Sequence, residues 1–409
     1  MNPYLRSSVC AILLAPALFA QDWPQWRGPA RDATAPGFAV PKVWPDKLND
    51  KWKITVGEGH ASPVVAGNRV YVHTRTGERE TVRAIDIATG KEVWQDAYSL
   101  PYTVNPAAAA HGKGPKSTPV ISGGKLYTLG ITGTLSCYDT TSGRLLWRKD
   151  YKSQFNNLEP EFGTAMSPLV DRSLLIVHVG GLGNGALIAL DPATGAEKWR
   201  WAGDGPAYAS PIAVEALGTR MIVTQTQRYI VGVQANNGAL LWRIPFETEY
   251  AQNIVTPLQY RDLLIFSGIN KGVFAIRLGY GAGKWTTAQV WENKDVALYM
   301  NSPIVSGNLV FGMSHKNSGQ LFALDTASGK TLWTGQPRQG ENTALWLAKD
   351  FLFALTNDAK LIVLKVHDKG ATPLKTYQVA TGETWATPAV SGNRLVIKDA
   401  TTLALWTWD

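Results

Sequence analysis

Cysteine is nearly missing from this chain of 409 residues, which holds only Cys10 and Cys137. Cys10 lies in an N-terminal stretch expected to be removed, so Cys137 is left alone and an intrachain disulfide is excluded. Long apolar runs are also scarce. The first 20 residues, MNPYLRSSVCAILLAPALFA, carry one charge, Arg6, and an apolar run from Val9 to Ala20 interrupted by Pro16. That run is too short to span a bilayer but suits a signal-peptide core, with cleavage expected after Ala20 and an uncleaved anchor as the alternative. Cys10 precedes the run, the wrong place for lipid attachment. No later segment is long and apolar enough to cross a membrane. Clustered charge is missing too. The formal net charge is +8 from 40 basic and 32 acidic residues, and losing Arg6 leaves +7, but no run of five or six like charges occurs. A nucleic-acid partner would want a basic stripe and is not expected. The six histidines form no HxH or HxxxH pair, which argues against zinc, and no C-x-x-C-H is present for haem. His73, His178 and His315 follow apolar strands and read as strand-end residues. GGLGNG at 180–185 lacks a following Gly-Lys-Ser/Thr and reads as a hairpin loop rather than a phosphate loop.

What the chain does have is a repeated phrase. VRAIDIATGKEVW, LSCYDTTSGRLLW, LIALDPATGAEKW and LFALDTASGKTLW begin at residues 82, 135, 187 and 321. Each reads as a strand, a tight turn and a second strand. Asp followed by x-x-Thr/Ser-Gly provides a side-chain cap and a glycine able to take positive φ. The strand before the turn aligns in eight places, with middle residues Ala84, Cys137, Ala189, Gly232, Ala275, Ala323, Val363 and Ala404. All but Val363 are no larger than Cys, which we read as room for a neighbouring sheet. Cys137 is then a packing thiol rather than a nucleophile. The spacing, 40 to 53 residues, belongs to four-stranded propeller blades.

A second marker, Ser/Thr-Pro, opens each unit at SPVV 62, TPVI 118, SPLV 167, SPIA 210, TPLQ 256, SPIV 302 and TPAV 387, and fails at NTALWLAKD in the seventh. Proline is tolerated at the first residue of a strand. A third marker is Trp eight residues after the turn Asp, as at Trp94, Trp147, Trp199 and Trp333; we read these as a core girdle rather than a cofactor cage. The fifth unit is irregular, with Trp291 fourteen residues after Arg277. The last unit stops one strand short at LALWTWD, while DKWKITV at 50–56 is a strand without a unit. Pairing the two closes a ring and removes the exposed edges. The expected fold is therefore all-β: an eight-bladed β-propeller of four-stranded antiparallel blades over 50–409, preceded by a Trp/Pro-rich latch segment at 21–49 and a signal peptide at 1–20.

These units resemble the PQQ-like (pyrroloquinoline-quinone-like) repeat family, which includes quinoprotein alcohol dehydrogenases and the outer-membrane assembly factor BamB. DWPQWRGPARD at 22–32 is similar to the start of many exported PQQ-like propellers of unassigned role. The dehydrogenase branch implies an adjacent-cysteine disulfide near the quinone, a calcium held by Glu, Asn and Asp, and an Asp base. This chain has no adjacent cysteines, and its aspartates fall mostly in the hairpin turns. The BamB branch implies a lipid-anchored scaffold, and no lipobox closes the leader.

The loops that enter the first strands point to one mouth of the central channel. They carry Glu58, His60, Lys116, Glu161, Tyr208, Asn253, Tyr299, Asn301, Asn342 and Trp385, which fit a small ligand or a peptide, or simply bind water and each other. Glu58 and His60 share a side of an extended segment, but nothing supplies a nucleophile beside them. The segments 96–116 and 149–164 join blades and read as shaped surface loops. The expectation is a monomeric, periplasmic or secreted scaffold that binds an envelope protein or a small ligand, with no cofactor. A PQQ-dependent oxidoreductase and a sugar- or peptide-binding protein are the alternatives.

Overall fold

Eight four-stranded antiparallel sheets stand around one axis in the computed structural model, which describes residues 21–156 and 159–409. The leader expectation falls on residues outside these. Each blade runs from an inner strand outwards. The inner strands are Val64–Ala66, Val120–Ser122, Leu169–Asp171, Ile212–Ala216, Leu258–Tyr260, Ile304–Ser306, Thr343–Ala348 and Ala389–Ser391, here blades 1 to 8 in that order. Inner strands of neighbouring blades touch, so they line the central channel. The ring closes as the unpaired chain ends demanded. Asn49–Thr55 pairs antiparallel with Thr402–Thr407, from Asn49 opposite Thr407 to Thr55 opposite Thr402. This is one residue earlier than the segment read from the sequence, and a bulge shifts the register between Asp50 and Trp52.

The turn motif behaves as its chemistry requires. The Asp86 carboxylate accepts from the backbone of Ala88 and Thr89 and from the Thr89 hydroxyl, and Gly90 sits at φ +69°. Asp139, Asp191 and Asp325 repeat the cap, and these bonds hold all four carboxyls below their ordinary range.

The small-residue column has a more specific cause than room for a neighbouring sheet. Ala84, Cys137, Ala189, Gly232, Ala275 and Ala323 lie directly opposite Trp94, Trp147, Trp199, Trp242, Trp291 and Trp333 in the cross-strand register. A bulky side chain would meet the indole. Val363 is tolerated because Lys375, not Trp, faces it. The irregular fifth unit keeps the pattern. Its extra residues lengthen the hairpin Val273–Gly281/Lys284–Asn293 and leave Trp291 in register with Ala275. Burial pushes the Cys137 thiol up to about 12, as befits packing.

Four of these indoles bond to the next blade. Trp94, Trp147, Trp199 and Trp291 donate to the carbonyls of Thr140, Pro192, Ala235 and Thr326, each one residue past the turn position of the following unit. Trp52 of the closing strand does the same to Ile87. The ring lies over the next turn's glycine, where a Cβ on Gly143 would come within 2.5 Å of Trp94. Trp242 faces the irregular fifth blade, which offers no such turn, and turns back to the Met221 sulfur.

A second girdle runs at the inner end. The Ser/Thr of the Ser/Thr-Pro marker accepts from the backbone N–H of its counterpart in the adjoining blade. Ser62 accepts from Thr387, Thr118 from Ser62, Ser167 from Thr118, Ser210 from Ser167 and Ser302 from Thr256, at 2.9–3.2 Å. Ser167→Ala removes one acceptor and strands a buried N–H, so it is expected to cost about 1–3 kcal/mol, read as a lower urea midpoint at unchanged m-value.

Two histidines read as strand-end residues lie inside strands instead. His73 and His178 are buried within Arg69–Thr76 and Leu174–Gly181, and His315 follows Leu309–Ser314. His73 Nε2 is 3.2 Å from the Glu80 carboxylate, which also accepts from the Tyr98 hydroxyl and, across the blade boundary, from Ile131 N–H. Burial pushes the Glu80 carboxyl up, but His73 and these donors outweigh it and hold it below its ordinary value. A carboxyl lowered on folding adds stability above its unfolded value, near 4.5, and loses it as pH falls through the lower folded value. Glu80→Gln is therefore expected to cost about 3 kcal/mol at pH 7 and to flatten the acid limb of a stability profile below pH ~4.5.

Candidate functional site

The N-terminal segment crosses the channel before it becomes the closing strand. Trp23 exchanges backbone bonds with Val65 of blade 1, and Ile121 of blade 2 donates to Pro24 O. Trp26 donates to the Thr256 hydroxyl of blade 5, Arg31 to the carbonyls of Ser167 and Pro168, and Arg27 to Pro303 O of blade 6. Ala33 and Ala35 bracket Leu347 of blade 7. Phe38 and Trp44 then pack on Trp408 and Phe353. Residues 23–35 thus form a plug anchored on inner strands at several points of the ring.

Above the plug, on the side where the Ser/Thr-Pro loops enter, lies a cavity of about 480 Å³. Of the residues singled out from the sequence, His60, Lys116, Tyr208, Tyr299, Asn342 and Trp385 line it. The others stand elsewhere. Asn253 is fully buried, where its amide donates to the carbonyls of Thr226 and Phe246 and braces a loop. Asn301 exchanges bonds with the backbone of Met313. Glu58 is exposed with its backbone paired to Arg75, and Glu161 accepts from Asn105. An asparagine in a loop reads alike whether it faces a cavity or ties a backbone, so sequence did not separate these cases.

The wall is completed by residues that the sequence reading passed over: Trp26 from the plug, His111 at the end of the short 3-10 turn Pro106–His111, Phe162, Tyr250, Gln252 and Met300. His111 and Phe162 belong to the two long interblade segments, whose length was the available signal. Tyr250 stands at the rim, 62% exposed.

The polar groups of the mouth are mostly committed. Lys116 donates to Phe162 O at 2.7 Å, and burial lowers its amine to about 8. Tyr208 accepts from Phe162 N–H, Tyr299 donates to Gln252, and Trp385 donates to Glu383. His60 Nε2 contacts the His111 carbonyl at 3.1 Å. Burial, then the charges of Lys398 and Lys116, press His60 down to about 3, so it is neutral at physiological pH. The rings of His60, His111 and Trp385 meet edge to face, with centroids 5.0–6.2 Å apart. This wall suits an apolar or planar group. Its titratable side chains are held by backbone and by each other, not poised beside a nucleophile.

The dehydrogenase resemblance implies a quinone with calcium, and the residues present do not fit that pair. The lining of the mouth includes no carboxylate, and its one lysine already spends its amine on Phe162. Among the described residues no group of three or more His, Cys, Asp or Glu is placed to hold a metal. The chain has no adjacent cysteines to form the implied disulfide.

The structure is a PQQ-like eight-bladed propeller whose channel is crossed by its own N-terminal segment. The chain belongs to the family whose model is described as outer membrane protein assembly factor BamB, matched over residues 49–114 and 78–335. Among curated proteins it is similar to the BamB of Yersinia pestis, 24% identical over 69% of each chain, and to that of Shewanella oneidensis, 22% identical over 53% of this chain and 56% of the relative. It is also 26% identical to a quinoprotein ethanol dehydrogenase of Pseudomonas putida, over 37% of this chain and 25% of the relative. Among solved structures, BamB from Moraxella catarrhalis superposes with a TM-score of 0.62 at 16% identity, covering 88% of this chain and 97% of that one. A quinohemoprotein alcohol dehydrogenase from Comamonas testosteroni superposes at 0.69 and 16% identity, covering 96% and 81%. At these identities the superpositions show the shared fold.

Proposed function

We propose that this chain is an exported, non-catalytic propeller scaffold of the cell envelope, whose mouth receives an apolar segment of a partner protein. The observation that carries the reading is the mouth itself. It is a cup floored by the plug, walled by aromatic rings, with its histidines neutral and its lysine tied to backbone. Such a surface binds rather than reacts. The curated relatives named as outer membrane protein assembly factors support a protein partner in the envelope. Among the described residues no helix is long and apolar enough to cross a membrane.

The test places a photo-crosslinking residue at the rim by Tyr250→p-benzoylphenylalanine, with Tyr280→p-benzoylphenylalanine on the blade 5 hairpin as an exposed control. A discrete envelope-protein adduct from position 250, absent from 280, is the expected result. The quinone reading predicts the opposite outcome: no adduct, and dye reduction by the purified chain supplied with PQQ, calcium and an alcohol.

A further inference from the structure

Next to the mouth, sharing part of its lining, is a smaller space. Behind Trp26 and Trp385, a chamber of about 30 Å³ lies between the plug and blades 6 to 8, and Met300 and Asn342 line both spaces. Arg27 and Asn342 stand on its wall and are 3% and 6% exposed. Arg27 gives Nη2 to Pro303 O, but its Nη1 has no partner, and neither has Asn342 Oδ1. Buried polar atoms without partners are rare in folded proteins and ask for an occupant.

The charge around Arg27 points the same way. None of the ion pairs among the described residues includes it. Asp32 is the carboxylate whose field reaches Arg27, and its Oδ1 is taken by the Thr34 N–H and hydroxyl. A second buried guanidinium, Arg31, adds repulsion. Burial lowers Arg27 to about 10, and burial with that repulsion lowers Arg31 to about 9. The backbone is costly as well. Arg27 sits at φ +60°, a conformation that favours glycine or asparagine, yet the chain places an arginine there.

We propose that the chamber is a binding site for one small anionic group, held by Arg27 Nη1 and by the Asn342 side chain, whose amide can turn its Nδ2 inward. The space is that of roughly one or two waters, so the group is of chloride, formate or carboxylate-head size. It arrives either as a free ion or as the head of a ligand whose apolar body fills the mouth. This goes beyond the scaffold reading and stands or falls without it.

The experiment follows thermal unfolding of the full chain in formate, and separately in 2-naphthoate, against gluconate at constant ionic strength. A rise of ~2 °C or more is expected once the anion exceeds its dissociation constant about a hundredfold. Asn342→Leu fills the chamber while leaving the Arg27–Pro303 bond, and is expected to abolish the shift. A response to 2-naphthoate at tenfold or more lower concentration than formate identifies a head group, and equal responses identify a free ion. No shift with either anion, or a shift retained by N342L, overturns the proposal. Crystals of the wild-type chain grown in bromide give a readout independent of the variant's folding. Anomalous density beside Arg27 Nη1 is expected, and a water alone there overturns the site.

Discussion

A chain lacking residues 21–55 is expected to accumulate as aggregate rather than as soluble monomer. The deletion removes the fourth strand of blade 8 and leaves Thr402–Thr407 as a naked edge, the template for pairing with another chain. It also removes Trp23 and Phe38, 1% and 2% exposed, and the Trp52 indole that bonds to Ile87 of blade 1. Truncating a buried Trp or Phe costs about 3–5 kcal/mol, so two such losses already rival the ~5–15 kcal/mol that holds a typical domain together. The strand and the plug can be told apart. A permutant that begins at Val56 and continues from Asp409 through Asn-Gly into residues 49–55 restores the strand as a hairpin without the plug. It should be soluble by gel filtration, with a lower melting temperature than the intact chain. A truncated chain that is monomeric and melts with the wild type would end the closed-ring account.

The Trp staple between blades should show the next largest effect, and its signature is coupling. Trp199→Ala empties a site only 7% exposed and removes the bond to Ala235 O, at an expected ~3–5 kcal/mol. Gly238→Ala strains a backbone at φ +72° and drives a Cβ to 2.5 Å from the Trp199 ring, together about 2–4 kcal/mol. In the double variant the backbone strain remains but the clash has gone. The pair should therefore fall short of additivity by about 1–2 kcal/mol in urea unfolding. Strict additivity would mean that the indole and the turn do not pack as described.

Much of this scaffold was legible beforehand because it rests on local rules repeated many times. The Asp-x-x-Thr/Ser-Gly turn needs only its own residues for the cap and the positive φ. Counting units and finding one strand over at the front and one short at the back fixed the closure. The small-residue column was visible, but its partner was not. That Ala84 faces Trp94, and Val363 faces Lys375, depends on strand register and on the bulge after each small residue.

The mouth was half legible for the same reason. Loops entering first strands must converge at one end of a ring, which brought His60, Lys116, Tyr208, Tyr299, Asn342 and Trp385 together. Asn253 and Asn301 share that address, but the carbonyls of Thr226 and of Met313 in the strand Leu309–Ser314 claim them. Sequence alone determined the number of blades, the turns and the borrowed strand, all consequences of short-range chemistry and periodicity. Only the tertiary structure decided that residues 23–35 run through the channel, that Trp26 floors the mouth, and that Arg27 lies buried with a free nitrogen. Those outcomes depend on which distant carbonyls, hydroxyls and rings a single pass of chain meets across the axis, and no local pattern encodes that meeting.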